Sequence, residues 1–300
     1  MSAQPFRAYS GAARLFPINN WRTLKIHSSQ VILTKMQGVT FLLWALSIVN
    51  ATARWAPKPE VTWDYHLKSA LKTPVKGIEV YDIDLFDNSK TSIAKFKDEG
   101  IKVVCYFSAG SYENWRPDKN KFKLSDLGKP LDGWEGEKWL DLNSDNVRSI
   151  MKARMDMAVD KKCDGIDPDN IDGYDNKNGL GLTKKDSINY VKFLAKEAHK
   201  RGLAVSLKNG GAIVNDLLAD VDFCVQEECV EYDECDLYQP FIKANKAVFH
   251  VEYPKGETLN NKNVSAAKVK EICNNKNAKK FSTIIKNMNL DDWIQKCPKN

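Results

Sequence analysis

The stretch Asp164-Gly165-Ile166-Asp167-Pro168-Asp169-Asn170-Ile171-Asp172-Gly173 gathers four carboxylates at the end of what reads as a short buried strand. Acids so placed can move protons, attack an electrophilic carbon or hold a cation. On an extended strand side chains alternate faces, so Asp167 and Asp169 point the same way, and Pro168 between them keeps Asp167 extended. A second acidic element, Glu227-Glu228-Cys229, follows later in the chain. Alternation sends its two glutamates to opposite faces, so only one of them can share a site with the aspartates. Taken alone, the aspartate-rich stretch also fits a solvated turn or a Ca²⁺ loop.

Two reaction classes use such acids. A metal enzyme would bind Mg²⁺ or Ca²⁺ through several oxygens. A glycosidase needs one carboxylic acid to protonate the leaving oxygen and one carboxylate to attack or to activate water. The second is favoured. The four histidines (His27, His66, His199 and His250) show no zinc-ligand spacing. There is no P-loop, no dinucleotide glycine pattern and no G-x-S-x-G elbow, and no cysteine has an evident catalytic partner. The expectation is therefore an enzyme without metal or cofactor.

The elements that must position these acids repeat in a regular way. From residue 77 onward, short β-rich runs alternate with polar or helical stretches. The runs are 77–84, 102–109, 138–142, 164–170, 204–209, 223–229, 247–253 and 281–287. Between them, residues 145–161 carry an apolar stripe at helical spacing (Val147, Ile150, Met151, Met155, Ala158 and Val159). Thr183 and Asp186 form a capping box ahead of the stripe Ile188, Val191, Leu194, Ala195 and Ala198, which Gly202 closes.

Eight strands alternating with helices predict an α/β fold, a single-domain (β/α)₈ TIM barrel. A doubly wound open sheet is the alternative, but it lacks its glycine-rich first turn. A barrel should collect functional groups at the C-terminal strand ends. Those positions hold Asp82 and Asp84, Tyr106, Asp141, Asp167 and Asp169, Lys208 and Asn209, Glu227 and Glu228, and Glu252 and Tyr253. Lys208 either keeps a neighbouring carboxylate ionised or neutralises the acidic ring. Aromatic residues near these ends, among them Trp63, Tyr65, Trp115, Trp134, Trp139, Tyr174 and Tyr232, offer ring faces to a sugar.

Bulk properties narrow the partners. The 300 residues are 43% hydrophobic and carry a net charge of +6. Five of those charges (Arg7, Arg14, Arg22, Lys25, Lys35) lie in residues 1–53, which hold no acid, leaving +1 for the remainder. With no basic patch elsewhere, nucleic acid is set aside. The run from Val39 to Val49, preceded by Lys35 and followed by Ala51-Thr52-Ala53, has the parts of a secretory signal. Residues 36–53 are thus expected to be cleaved and 54–300 to form the mature barrel, with 1–35 an upstream segment. A membrane anchor is the alternative. Seven cysteines suit an oxidising destination, with Cys229–Cys235 and Cys273–Cys297 the expected bridges and Cys105, Cys163 and Cys224 left open. Asn263-Val264-Ser265 is a glycosylation sequon and marks a surface loop. A secreted monomer, free of the membrane after cleavage, is expected.

Long ordered motifs carry a resemblance. Trp63-Asp64-Tyr65, the run from Tyr81 to Asp87, the run from Val104 to Arg116, Asp164 to Tyr174, Leu207-Lys208-Asn209, Glu227 through Cys235 and Val251-Glu252-Tyr253 are similar to glycoside hydrolase family 114. The likeness runs from about Trp63 to Cys297. It implies a secreted barrel hydrolase resembling endo-α-1,4-polygalactosaminidases, with a galactosamine-containing polysaccharide as substrate. It also implies one catalytic carboxylate in the Asp167-Pro168-Asp169 motif and one in Glu227-Glu228-Cys229. Asp169 is preferred over Asp167, where the family more often has Glu, and Glu227 over Glu228, where Gln is common. Asp82, Asp84, Tyr106, Asp141, Lys208, Asn209, Glu252 and Tyr253 would then shape the subsites. Surplus acids would suit a polymer bearing free amines, which is cationic near neutral pH. A non-catalytic carbohydrate-binding barrel, or a hydrolase of another amino sugar or of galactan, are the competing readings.

Overall fold

The computed structural model describes residues 54–298. The expected signal and upstream segment lie outside the described residues. Eight parallel strands form the wall: β1 (Trp63–His66), β2 (Val80–Asp84), β3 (Lys102–Ser108), β7 (Gly165–Asp169), β8 (Ala204–Lys208), β9 (Phe223–Glu227), β10 (Val248–Glu252) and β11 (Ser282–Lys286). They neighbour one another in that order, and β12 (Ile294–Lys296) adds antiparallel to β11. Where β11 meets β1, the Trp63 indole donates to the Ser282 carbonyl at 2.6 Å and Lys286 Nζ reaches Asp64 at 2.8 Å. These long-range bonds bring the sheet nearly to closure.

The count of eight holds, but with one exchange. The run 138–142 is not a wall strand. Its core, β6 (Glu137–Leu140), pairs antiparallel with β4 (Ser111–Glu113) and β5 (Leu127–Pro130) in a small sheet inserted after β3. The first wall strand is instead Trp63–His66, whose sequence WDYH alternates aromatic and ionisable residues and is buried throughout.

Alternation layers the barrel interior. Trp63, Val80, Val104, Ala204, Phe223, Phe249 and Ile284 form one apolar cluster at the N-terminal end of the strands, where the Trp63 and Phe249 rings stack with centroids 4.9 Å apart. Two residues further along each strand the inward positions become Tyr65, Asp82, Tyr106, Asp167 and Ser206, and two further Asp84, Asp169, Lys208 and Glu227. The interior thus grades from hydrocarbon to charge along its axis. Opposite-facing residues such as Tyr81, Ile83, Val103, Ile166 and Leu207 belong to a second core shared with the helices.

Two long helices cover the strands nearest the acids. In the helix Asp145–Asp160, Val147, Ile150, Met151, Met155 and Ala158 are buried, Val159 of the expected stripe is exposed instead, and the Ser144 side chain caps the first turn. In the helix Lys184–Lys200 the Thr183–Asp186 capping box is formed and Val191, Leu194, Ala195 and Ala198 are buried. Each cap stabilises its helix by about 1 kcal/mol. Three disulfides join Cys105 to Cys163, Cys229 to Cys235 and Cys273 to Cys297, and Cys224 is a buried free thiol. The first closes a loop of 58 residues between β3 and the start of β7, worth about 4 kcal/mol on a chain-entropy argument.

Candidate active site

Three successive wall strands end in the same way. Asp169, Lys208 and Glu227 are the last residues of β7, β8 and β9, and each is followed by a left-handed residue: Asn170 (φ 60°), Asn209 (φ 49°) and Glu228 (φ 60°). A left-handed residue breaks the strand at once. Asparagine enters this conformation readily, whereas Glu228 does so at a cost of about 1 kcal/mol. The Asp169 carbonyl is further clamped by the backbone N–H groups of Ala109 and Gly110, at 2.8 and 2.9 Å. Gly110 is obligatory there, because a Cβ would lie 1.6 Å from the Asn170 carbonyl oxygen.

At the centre stands the Lys208 ammonium, 3% exposed as a residue, 3.2 Å from Asp169 Oδ1 and 2.7 Å from Glu227 Oε2. Asp169 also accepts from the Tyr106 hydroxyl at 2.9 Å and from the Asn170 backbone N–H at 2.7 Å. Glu227 accepts from the Tyr253 hydroxyl at 2.6 Å and from Asn209 Nδ2 at 3.1 Å. Burial alone would raise the Glu227 pKa. The Lys208 charge, with the hydrogen bonds from Lys208, Tyr253 and Asn209, outweighs burial and holds this carboxyl below its ordinary range.

One layer deeper the balance reverses. Asp167 is wholly buried and accepts from the Ser206 hydroxyl on one oxygen only. Burial pushes it up to about 7, against the pull of Lys208 and with the Asp169 charge adding to the rise. Neither oxygen of Asp82 meets a hydrogen-bond donor, and its carboxyl is buried beside that of Asp167. Burial first and the Asp167 charge second raise Asp82 well above the usual carboxylate range. One carboxyl held low at the mouth, Glu227, therefore sits above two that burial holds high, Asp167 and Asp82.

As for metals, Cys229, Cys235 and His250 bring ligand atoms together among the described residues. Both thiols are spent in the disulfide, and His250 Nε2 engages Glu252 at 2.7 Å. Lys208 already occupies the centre of the carboxylate cluster, where its charge does what a cation would do.

Comparison with known proteins decides what this mouth belongs to. The model of glycoside-hydrolase family GH114 matches residues 46–300. The chain belongs to this family. A crystal structure of Aspergillus fumigatus Ega3 in complex with galactosamine is similar at 53% identity and TM-score 0.80, covering 82% of this chain and 98% of that one. The glycoside hydrolase domain of PelA from Pseudomonas aeruginosa, at 10% identity and TM-score 0.57 over 78% of this chain and 98% of that one, shares the fold. A search of curated proteins finds no match. The chain is a glycoside hydrolase built on a TIM barrel.

Within this GH114 barrel, Asp169, Glu227, Lys208, Asn209, Tyr106 and Tyr253 meet as the sequence predicted, and Asp82 and Asp167 lie directly below. Three predicted residues do not join them. Asp84 is at the mouth but is spent on Arg116, with bonds of 3.1 and 2.6 Å, so it forms wall rather than free charge. Asp141 follows β6 in the inserted sheet, and its carboxylate accepts from the Asn143 N–H at 2.9 Å, closing a turn. Glu252 has outward parity and binds His250 and the Val230 N–H, each at 2.7 Å, fixing the loop after β9 from behind.

Of the aromatic residues expected near the mouth, Tyr65 lies at its centre. The Tyr65 ring lies 5.8 Å from Lys208 Nζ, and its hydroxyl is raised well above its ordinary pKa by burial and by the charges of Asp167, Glu227, Asp82 and Asp169. The Trp63-Asp64-Tyr65 motif stands out in the sequence, but not as a wall strand.

Proposed function

We propose that this chain is a secreted, monomeric endo-hydrolase of α-1,4-linked galactosamine polymers, with Asp169 and Glu227 dividing the acid and nucleophile roles. The observation that carries this reading is the single Lys208 ammonium gripping both carboxylates. Because one nitrogen bonds Asp169 Oδ1 at 3.2 Å and Glu227 Oε2 at 2.7 Å, those oxygens lie within about 6 Å of each other, the spacing of a retaining pair rather than an inverting one. No room is left for a water between them in the attacking position. A glycosyl-enzyme intermediate follows, formed by one carboxylate while the other protonates the departing oxygen and then activates the incoming water.

The 53% identical relative crystallised with galactosamine supports the substrate class. So does the charge of the mouth, where Asp167, Asp169, Glu227 and Asp172 surround Lys208 and would attract a polyamine. Three disulfides and the apolar leader support secretion. Among the described residues no helix is long and apolar enough to cross a membrane.

The test is to mix residues 54–300 with partly deacetylated α-1,4-galactosamine polymer and follow oligosaccharide release. Products should appear and retain the anomeric configuration when monitored by NMR. Binding without products would favour a carbohydrate-binding barrel. Azide separates the two roles. Rescue of the nucleophile variant yields the β-glycosyl azide, and rescue of the acid variant yields the α-azide.

A further inference from the structure

The inserted sheet begins at the turn Ser108-Ala109-Gly110-Ser111, which leaves β3 and enters β4. Ser108 is the register partner of Asp169 on the neighbouring β7, and across β4 and β6 Glu113 pairs with Glu137. These pairings gather Ser108, Ser111 and Glu137 beside Asn170, the left-handed residue that follows Asp169. All three are buried, so their polar groups need partners inside the protein. The partners form one line. Asn170 Nδ2 donates to Ser108 Oγ at 2.9 Å, and the Ser111 backbone N–H donates to the same oxygen at 3.1 Å. Those two bonds use both lone pairs of the Ser108 hydroxyl, so its own proton goes to Ser111 Oγ, 2.5 Å away. Ser111 Oγ in turn donates to Glu137 Oε2 at 2.5 Å. Burial pushes Glu137 up to about 7, against the Ser111 hydrogen bond and with the charges of Glu113 and Asp169 adding to the rise. In either protonation state Oε2 keeps a lone pair for Ser111. The line therefore runs one way, from the Asn170 amide to Glu137, and no hydroxyl in it is free to turn.

We propose that Glu137 is a positioning residue for Asp169: acting through Ser111 and Ser108 it fixes the Asn170 side chain, and Asn170 fixes the Asp169 carboxylate. The inference rests on the reading of Asp169 as one of the two catalytic carboxyls. The last link is the Asn170 backbone N–H, which donates at 2.7 Å to Asp169 Oδ1, the same oxygen that Lys208 Nζ meets at 3.2 Å. Where that N–H points depends on the φ of 60° at Asn170. Asparagine tolerates this region but visits others as easily, so a held side chain is what keeps the residue there. Among the described residues Glu137 makes no hydrogen bond of its own to Asp169, Lys208 or Glu227; its side chain receives Ser111. Its hold on the site passes along the line. A displacement of about 1 Å at a reacting group can reduce the rate about a hundredfold, so a support of this kind acts on turnover before it acts on binding.

A double-mutant cycle tests the line. Glu137→Leu should lower kcat on the galactosamine polymer about twentyfold with KM within about twofold. Glu137→Gln keeps an acceptor for Ser111 and should hold kcat within about threefold of the parent. Asn170→Gly retains the left-handed backbone but drops the side chain that the line holds, and it should lower kcat about as far as Glu137→Leu. In the Asn170→Gly background, Glu137→Leu should then reduce kcat by less than about twofold more, because the link is already cut, whereas independent contributions to the fold would multiply. If Glu137→Leu does not fold, Ser111→Ala cuts the same line with a smaller change and takes its place in the cycle. Three results would overturn the positioning role while Asp169→Asn remains inactive: a parent-like kcat in Glu137→Leu or Asn170→Gly, losses that multiply in the double variant, or equal losses in Glu137→Gln and Glu137→Leu. If the parent does not cut the polymer, or Asp169→Asn keeps the parent's kcat, the reading of Asp169 falls and the positioning role with it.

Discussion

Two lysines are buried in the wall of this barrel, and their surroundings differ in one respect. Lys286, 0% exposed, meets one carboxylate, Asp64 at 2.8 Å, and the Asp291 carbonyl at 2.8 Å. Lys208, 3% exposed, contacts Asp169 and Glu227 and feels the charge of Asp167 as well. The first cation is matched one to one across residues 222 apart in sequence, where β1 meets β11. The second is outnumbered. A matched buried pair holds a seam together, and removing one partner leaves the other charged and dry. An outnumbered cation forces its acids to differ: Glu227 is held ionised, Asp167 rises to about 7 and Asp82 rises well beyond the usual range. Carboxyls driven apart in this way are what acid–base chemistry needs.

The contrast is broken most severely at the acids themselves. Glu227→Gln and Asp169→Asn should each lower kcat on the polymer by about a thousandfold or more while leaving the melting temperature near that of the parent. Next in size, Lys286→Met should destabilise the fold by about 3–5 kcal/mol in denaturant titrations by stranding Asp64, and Lys286→Met with Asp64→Leu should recover much of the loss. Lys208→Met should act on rate instead. Without its ammonium, the burial of Glu227 is no longer outweighed, so the acidic limb of the kcat/KM profile should move to higher pH. In the parent that limb lies below 4.5, the ordinary value, because a lowered carboxyl stays ionised until the pH falls through its folded pKa.

A smaller effect follows from Asp167. A carboxyl raised to about 7 stabilises the fold most below its unfolded value of 3.8, and that contribution is lost as the pH rises through 7. Asp167→Asn should therefore flatten the decline in stability between about pH 4 and 7, read from melting temperatures. The smallest change is expected at Asp82. Because burial holds its carboxyl well above the usual carboxylate range, the isosteric and uncharged Asp82→Asn should alter kcat by only a few-fold, whereas Asp82→Leu, which changes the shape of a fully buried position, should cost more.

Legibility varied along the chain for physical reasons. The runs at β2, β3, β7, β8, β9, β10 and β11 were visible because parallel strands buried on both faces are short, apolar and β-branched. Residues 138–142 have the same local look, yet they pair antiparallel outside the wall. Nothing within five residues records which partner a strand will find. Trp63–His66 was hidden for the opposite reason. Asp64 and His66 look solvated until Lys286, far along the chain, supplies the countercharge that lets Asp64 be buried. Glu252 was placed at the site because it ends a strand, and parity against Phe249 and Val251 turns it outward.

The sequence by itself determined the barrel class, the helix caps, two of the disulfides and the acids at the ends of β7 and β9, because each follows from local periodicity, spacing or a contiguous motif. Only the tertiary structure decided how those acids divide. Protonation depends on burial and on charges within a few ångströms, and it is the meeting of Asp169, Lys208 and Glu227 from three adjacent strands, above Asp82 and Asp167, that sets them apart.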